Sequence, residues 1–330
     1  MPRFPPVCLS MIATAAAPEA GQVPSAPRCW AGLPLDRPRV MGILNVTPDS
    51  FSDGGARLES QTAIEAGLAM AADGADIIDV GGESTRPGAS ALPPDVERAR
   101  ILPVIRGLAA AGLRLSVDTR HASTMEAALD AGAAIVNDIS GLTHEPRARA
   151  VVAARGCPVV LMHMRGTPDT MNALAVYDDV VRETMAELAE RVRAAEQAGV
   201  SPDRIVIDPG IGFAKLAGHS VEMLRRLPEL QALGYPILIG VSRKSFIGRL
   251  SGEPSAAHRL GGSLAAGLFA VMQGASILRV HDVRETAQAL KVWHNCSLRH
   301  GSASPTPGGA LHAGTRGKGA NDQDETPVRH

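Results

Sequence analysis

The chain has 330 residues, a formal net charge of −1 at pH 7, and a composition that is 45% hydrophobic but only 3% aromatic. The near-neutral charge argues against a nucleic-acid platform, which usually carries a strong basic excess. The sequence also lacks an apolar run of about 18 residues, so we expect no membrane-spanning helix. We therefore expect an aliphatic core and small-molecule partners, with neither nucleic acid nor membrane.

The two ends of the chain differ in composition from the middle. Residues 1–37 are rich in Pro and Ala without periodicity, and residues 298–330 are rich in Gly, Ser, Thr and Pro. Such compositions predict a disordered N-terminal extension and a disordered C-terminal tail around one folded domain at residues 38–297. The four cysteines form no CxxC pair. They predict neither a disulfide framework nor a zinc site, and they favour a reducing, cytoplasmic compartment.

Within the domain, eight short apolar runs alternate with longer segments of helical periodicity. Runs of Val and Ile bounded by Gly or Pro are typical of strands that are buried on both faces of a parallel sheet. In chain order, the predicted strands are 40–44, 77–80, 113–117, 134–136, 158–162, 205–207, 236–241 and 277–280.

The segments between the strands repeat apolar residues at helical spacing, as at Ala63, Ala66 and Met70. Glycine at a helix C-terminus accepts the left-handed conformation without steric cost. Glycines at such positions are Gly74, Gly112, Gly132, Gly156, Gly234 and Gly274. The alternation predicts an α/β protein with a single (β/α)₈ TIM barrel. A doubly wound open sheet is the alternative, because periodicity does not prove closure.

Nearly every predicted strand ends in a polar residue. In a parallel barrel all the C-terminal strand ends meet on one face, where the active sites of such barrels lie. A single polar residue after a strand is more simply a helix cap or a turn former. Arg, Lys and His are poor caps, however, and the set as a whole predicts a site. Its members are Asn45, Asp79, Asp118, Asn137, Asp138, His163, Asp208, Arg243, Lys244, Arg279 and His281.

Carboxylate and amide side chains form one part of this set. Asp118, Asn137 and Asp208 offer hydrogen-bond acceptors and an amide. They predict a pocket for a heterocycle that carries NH and NH₂ donors.

Cationic and donating side chains form the other part. Arg86, Arg279 and His281 suit an anion such as diphosphate. Lys244 and Ser245 open a predicted helix, where backbone N–H groups and the helix dipole attract anions. An anion site near the last two strands is a recurring arrangement in barrels.

Two long, polar, glycine-bearing loops follow the first two strands, at residues 45–55 and 81–88. The simpler interpretation is that both are ordinary surface connections. The functional interpretation is that they are mobile lids that close over substrate. We expect Glu83 to be structural, as the partner of a nearby cation.

The ordered motifs resemble those of the dihydropteroate synthases, a family of pterin-binding TIM-barrel enzymes. In chain order, they are GILNVTPDSFSDGG at 42–55, DVGGESTRPG at 79–88, SVDT at 116–119, NDISG at 137–141, DPGIGF at 208–213, SRKS at 242–245 and RVHD at 279–282. Any one of these motifs is weak evidence. The ordered set covers essentially all of residues 39–293 and is specific.

The resemblance implies a transferase of folate biosynthesis. In that family's reaction, (7,8-dihydropterin-6-yl)methyl diphosphate and 4-aminobenzoate give 7,8-dihydropteroate and diphosphate. The resemblance further implies an SN1-like course, assistance by Mg²⁺, and a homodimer.

The resemblance also implies a role for individual residues. The pterin would bind Asp118, Asn137, Asp208 and Lys244. The diphosphate would bind Asn45, Thr85, Arg86, Arg279 and His281, and Asn45 would also contact the Mg²⁺. The 4-aminobenzoate would bind Thr85, Pro87, Phe213, Lys244 and Ser245. The implied catalytic residues are Asn45, Asp118, Asp208, Lys244, Arg279 and His281.

The chain departs from the family pattern after Phe213, where Ala214-Lys215 replaces the usual Gly-Lys. This departure puts the loop after the sixth strand in doubt. One alternative function is a methyltetrahydrofolate:corrinoid methyltransferase, which would not need both TRPG at 85–88 and SRKS at 242–245. The other is a non-catalytic pterin-binding paralogue or scaffold subunit, which should have lost some of the assigned residues.

Overall fold

The computed structural model describes residues 29–47, 55–84 and 92–297. Its centre is a sheet of eight strands. In chain order they are β1 (Arg39–Asn45), β2 (Ile77–Gly81), β3 (Leu115–Asp118), β4 (Ile135–Asp138), β5 (Val159–Met162), β6 (Ile205–Asp208), β7 (Leu238–Ile239) and β8 (Ile277–Val280). Each predicted run overlaps one of these strands.

The sheet closes on itself. The strand order is β6-β5-β4-β3-β2-β1-β8-β7, and every neighbouring pair is parallel. A further parallel bridge joins Ile207 of β6 to Ile237, the residue before β7. The two ends of the sheet are therefore neighbours. The predicted barrel is confirmed, and the doubly wound open sheet is excluded.

Helices follow the strands and form the outer layer. They are α1 (Gly55–Ala72), α2 (Pro94–Ala110), α3 (Ala122–Asp130), α4 (Pro146–Arg155), α5 (Val180–Gln197), α6 (Ala217–Arg225), α7 (Ser245–Ser251), α8 (Leu260–Met272) and α9 (Val283–Ser297). Asp179 begins α5 because its carboxylate accepts the amides of Val181 at 3.0 Å and Arg182 at 3.1 Å. All the glycines predicted at helix ends have positive φ, as at Gly156, where φ is +55° beyond α4.

The apolar core has two parts. The larger part lies between barrel and helices and joins, for example, Val117 of β3 to Leu108 of α2. The smaller part, here called the apolar floor, fills the lower barrel with Trp30, Met41, Ile77, Ile135, Val160, Val206, Leu238 and Ile277. No described helix is both long enough and apolar enough to cross a membrane.

Side chains along a strand alternate between its two faces. The residue two positions beyond a member of the apolar floor therefore points into the barrel as well. In four strands that residue is polar, which places Asp79, Asn137, Asp208 and Arg279 directly above Ile77, Ile135, Val206 and Ile277. These four side chains are here called the polar layer.

A short antiparallel hairpin precedes the barrel, with strands Cys29–Trp30 and Leu33–Pro34. Trp30 is 1% exposed within the apolar floor, and its Nε1 donates to the carbonyl of Arg204 at 2.8 Å. The prediction of a disordered extension over 1–37 is therefore wrong for residues 29–37. A lone Trp in a Pro-rich stretch gave no periodic signal. The predictions for residues 1–28 and 298–330 lie outside the described residues.

Candidate active site

The strand ends bring the predicted residues to one face of the barrel. Asn45, Asp118 and Asp208 are the last residues of β1, β3 and β6. Asn137 of β4 pairs with Asp118 of the neighbouring strand, and Arg279 lies within β8. Because the strands are parallel, these side chains share the C-terminal mouth of the barrel.

An arginine joins two carboxylates at the centre of this mouth. Arg279 donates from Nε to Asp79 Oδ2 and from Nη2 to Asp118 Oδ2, both at 2.6 Å. Asn137 Nδ2 donates to the same Asp79 oxygen at 2.9 Å. The Asp79 side chain is fully buried, and its Oδ1 has no partner among the described residues. The sequence placed Asp79 at a strand end but gave it no role, and the structure adds it to the site.

Burial dominates the electrostatics of the two flanking aspartates. Desolvation raises the pKa of Asp118 to about 7, with the nearby Arg279 acting in the opposite direction and Asp79 in the same one. Burial also raises the pKa of Asp208, although Lys244 and the Gly210 amide oppose this effect. A carboxyl group that titrates near neutrality can either donate or accept a hydrogen bond, which suits a ring with both kinds of group.

Lys244 lies beside the loop that follows β6. Its ammonium group donates to the carbonyl of Ile211 and stands 4.3 Å from the centre of the Phe213 ring. Burial lowers the pKa of Lys244 to about 8, against the attraction of Asp208. Gly212 has a φ of +76°, and a Cβ there would lie 3.2 Å from Lys244 Cδ. A glycine thus lets the loop pass close to the lysine stem.

The predicted anion residues after β7 and β8 adopt different positions. The Nδ1 of His281 lies 3.0 Å from Ser242 Oγ, which also accepts the His281 amide at 3.2 Å. Ser245 is exposed as the first residue of α7. Arg243 pairs with Asp282 at the edge of the barrel, at a left-handed φ of +60°. This arginine therefore fixes the chain between β7 and α7.

Two other strand-end residues also serve the scaffold. The Asp138 carboxylate accepts the amides of Ser140 at 2.7 Å and Leu142 at 3.0 Å, so it forms a turn. His163 is fully buried, with Nε2 2.9 Å from Glu187 Oε2 and Nδ1 2.7 Å from Lys215 Nζ.

The contact between His163 and Lys215 lies in the region where the sequence departs from the pattern of the family it resembles. Burial lowers the pKa of His163 to about 3 and holds that of Lys215 well below its ordinary value. Lys215 Nζ also donates to the Phe213 carbonyl at 3.3 Å. The loop after β6 is therefore tied to the end of β5. The sequence gave Lys215 no role, and the buried His163 at a strand end was the signal that could have revealed the contact.

Glu83 has the structural role that was expected. Its Oε1 lies 2.8 Å from Arg120 Nη2, and both side chains are buried. The same oxygen accepts the Leu92 amide at 3.0 Å, so it joins the two flanks of the second loop. The predicted ligands Thr85, Arg86 and Pro87 lie between these flanks, outside the described residues.

The sequence is similar to known pterin-binding proteins across the whole barrel. A family profile described as "Pterin binding enzyme" matches residues 41–281. A dihydropteroate synthase of Neisseria meningitidis serogroup B is 48% identical over 264 residues, which are 78% of this chain and 93% of the relative. The chain belongs to the dihydropteroate synthase family.

Solved structures of this family share the fold. A dihydropteroate synthase of Xanthomonas albilineans with 4-aminobenzoic acid is 50% identical, with a TM-score of 0.77, and the match covers 82% of this chain and 97% of that one. One from the same organism in complex with 7,8-dihydropteroate is 47% identical, with a TM-score of 0.74 and coverage of 81% and 96%. Membership makes this chain a transferase of folate biosynthesis, as predicted.

Proposed function

We propose that this barrel joins (7,8-dihydropterin-6-yl)methyl diphosphate to 4-aminobenzoate, giving 7,8-dihydropteroate and diphosphate. The observation that carries the proposal is the polar layer above the apolar floor, with Asp118 and Lys244 at its rim. A few convergent polar groups in a concave site suit one flat, polar heterocycle. Solved relatives hold 4-aminobenzoic acid or 7,8-dihydropteroate.

In this proposal the pterin ring lies on the polar layer. Asp118, Asn137 and Asp208 would take its NH and NH₂ donors, and Lys244 would donate to a ring acceptor. Asp79 would hold the arginine and the amide beneath, since it already accepts from both.

The diphosphate would lie on the cationic side of the mouth. Arg279 uses two of its five N–H groups on carboxylates, which leaves three for an anion. His281 would add a further contact, as would Thr85 and Arg86, which are proposed from the resemblance alone. Ser245 would receive the carboxylate of 4-aminobenzoate, with Phe213 and Pro87 flanking its ring.

The donor chemistry fits Mg²⁺ at Asn45. Its partly buried amide ends β1 and offers a hard oxygen ligand. Mg²⁺ usually keeps several waters and binds through few protein oxygens plus the substrate phosphates. When bound with the diphosphate, the ion would neutralise part of the charge on that group.

The proposed reaction is SN1-like. The bond between the pterin methylene carbon and the diphosphate oxygen breaks first, and its electron pair leaves with the diphosphate. Arg279 and His281 would stabilise the negative charge that develops there, while the pterin ring delocalises the positive charge on carbon and the neighbouring carboxylates stabilise it. The amine nitrogen of 4-aminobenzoate then attacks the carbon, and the new C–N bond leaves an ammonium that gives its proton to water.

Diphosphate release and dihydropteroate formation by the full chain, with and without 4-aminobenzoate in Mg²⁺, test this function. We expect both products only when both substrates are present. Pterin binding without product would favour the non-catalytic paralogue. Methyl transfer from methyltetrahydrofolate to a corrinoid would favour the other alternative.

We further propose a homodimer in the cytoplasm. Exposed apolar side chains occur on three neighbouring helices, with Leu250 at 68%, Met272 at 60% and Val292 at 60% exposure, and a second copy would cover them. The free thiols of Cys29 and Cys296 suit a reducing compartment. Sedimentation of the chain and of a Met272→Glu variant tests the dimer, since the variant should be monomeric.

A further inference from the structure

Two histidines and a glutamate meet beside the mouth, outside the proposed pterin pocket. His121 directly precedes α3, and His144 and Glu145 directly precede α4. One possible ligand atom from each of the three lies within 4.8 Å of the others. His121 Nδ1 is 2.9 Å from Glu145 Oε1, and the two imidazole rings meet edge to face with centroids 5.2 Å apart.

The scaffold holds two of these side chains in place before any ion binds. Glu145 Oε2 accepts the Ala122 amide at 3.1 Å, which fixes the carboxylate at the start of α3. The His121 amide donates to Thr119 Oγ1 at 3.2 Å, and Thr119 donates in turn to the buried Glu97 at 3.0 Å. His144 is exposed, and its ring packs edge to face against that of His121.

The buried imidazole has a further property. The His121 side chain is 9% exposed, yet its Nε2 has no hydrogen-bond partner among the described residues. An ion on Nδ1 would displace the proton shared with Glu145, and the ring would then carry its proton on Nε2.

We propose that His121, His144 and Glu145 bind one divalent transition-metal ion of the Zn²⁺ class. Two imidazoles and a carboxylate are a known zinc ligand set, with ligand distances of about 2.0–2.2 Å. Two atoms 2.9 Å apart subtend an angle of about 90° at such an ion. In the tetrahedral arrangement that Zn²⁺ prefers, ligand atoms at these distances stand about 3.4 Å apart, so the 2.9 Å pair must open slightly and His144 must move inward from within 4.8 Å.

The chemistry of this site differs from that of the proposed Mg²⁺ site. Imidazole nitrogen selects Zn²⁺, Ni²⁺ or Cu²⁺, whereas Mg²⁺ prefers oxygen. The ion would join the segment after β3 to the segment after β4. These strands carry Asp118 and Asn137, so the ion would brace one side of the mouth without touching substrate.

Zn²⁺ binding by the metal-stripped full chain, measured by competition with a chromophoric chelator, tests the proposal. The variants are His144→Ala, Glu145→Gln and a matched control, His258→Ala, which removes another exposed histidine beside a glutamate, 3.8 Å away. The wild type and His258→Ala should each bind one more Zn²⁺ than the other two variants. Loss of an outer-shell partner already weakens metal binding about 10–100-fold, so loss of a ligand should cost at least that much.

Equal Zn²⁺ stoichiometry and affinity in the wild type and in His144→Ala would overturn the proposal. Displacement of the bound Zn²⁺ by Mg²⁺ at an equal concentration would overturn it as well. Zn²⁺ bound elsewhere on the chain is common to all four proteins and cancels in the comparison. Dihydropteroate formation in Mg²⁺ alone should be the same in His144→Ala and the wild type. That readout separates failure of this site from failure of the proposed function.

Discussion

Replacing Arg279 by Met should expose how much the barrel depends on its central ion pair. The change leaves Asp79 and Asp118, which are 0% and 7% exposed, without the guanidinium that lies 2.6 Å from each. Removing one partner from a buried pair costs about 3–5 kcal/mol. Two lost hydrogen bonds to charged groups, at about 1.5–3 kcal/mol each, give a similar figure.

The loss should depend on pH in a definite direction. The folded-state pKa of Asp118 is already raised from 3.8 to about 7, and Arg279 is the strongest influence that lowers it. Without Arg279 this pKa rises further. A carboxyl with a raised folded pKa contributes stability below its unfolded pKa and loses that contribution as pH rises through the folded pKa. The variant should therefore be closer to wild type at pH 5 than at pH 8.

Urea unfolding of the variant and the wild type at both pH values measures this loss. Arg243→Met is the matched control, because it breaks a pair with Asp282 whose arginine is 38% exposed. Such a pair contributes about 0–1 kcal/mol. The reasoning is refuted if Arg279→Met costs no more than the control at pH 8, or if its cost is larger at pH 5.

Three further changes test other parts of the molecule. Trp30→Ala should lower the free energy of unfolding by about 3–5 kcal/mol, because it leaves a cavity in the apolar floor. Trp30→Phe should lower it by only about 1–3 kcal/mol, because it leaves the carbonyl of Arg204 unpaired. Urea unfolding distinguishes the two variants. Asn45→Ala should keep its circular dichroism spectrum and weaken Mg²⁺-dependent diphosphate binding in calorimetry, and turnover equal to wild type would remove Asn45 from the metal site. Lys244→Met should weaken binding of the dihydropterin diphosphate at least about tenfold. In the wild type, affinity for the dihydropterin diphosphate should fall above pH 8, because the Lys244 ammonium, of pKa about 8, loses its proton. The variant should not show this fall. A fluorescence titration at several pH values measures both effects.

The sequence predicted the barrel because its signals are local. Strands buried on both faces read as short Val and Ile runs, and the glycines at helix ends mark each return to the sheet. The strand-end pattern predicted the site for the same reason, since parallel strands put their C-terminal residues on one face.

Contacts between distant residues could not be predicted in this way. The sequence assigned Arg279 to an anion. In the structure it also bridges Asp79 and Asp118, which lie 200 and 161 residues earlier in the chain. Trp30 looked like part of a tail because its partners lie in every strand around it except the third. The contact between Lys215 and His163 spans 52 residues and depends on burial, which periodicity does not report.

The apolar floor also separates the two ends of the barrel. Trp30 closes the end opposite the mouth, and the described chain enters there through Cys29. The last helix, α9, follows β8 from the mouth and runs back along the barrel to Ser297. Both ends of the described chain therefore point away from the substrates. A fluorophore or surface linker joined to the exposed thiol of Cys29 or Cys296 would therefore leave the mouth open to solution.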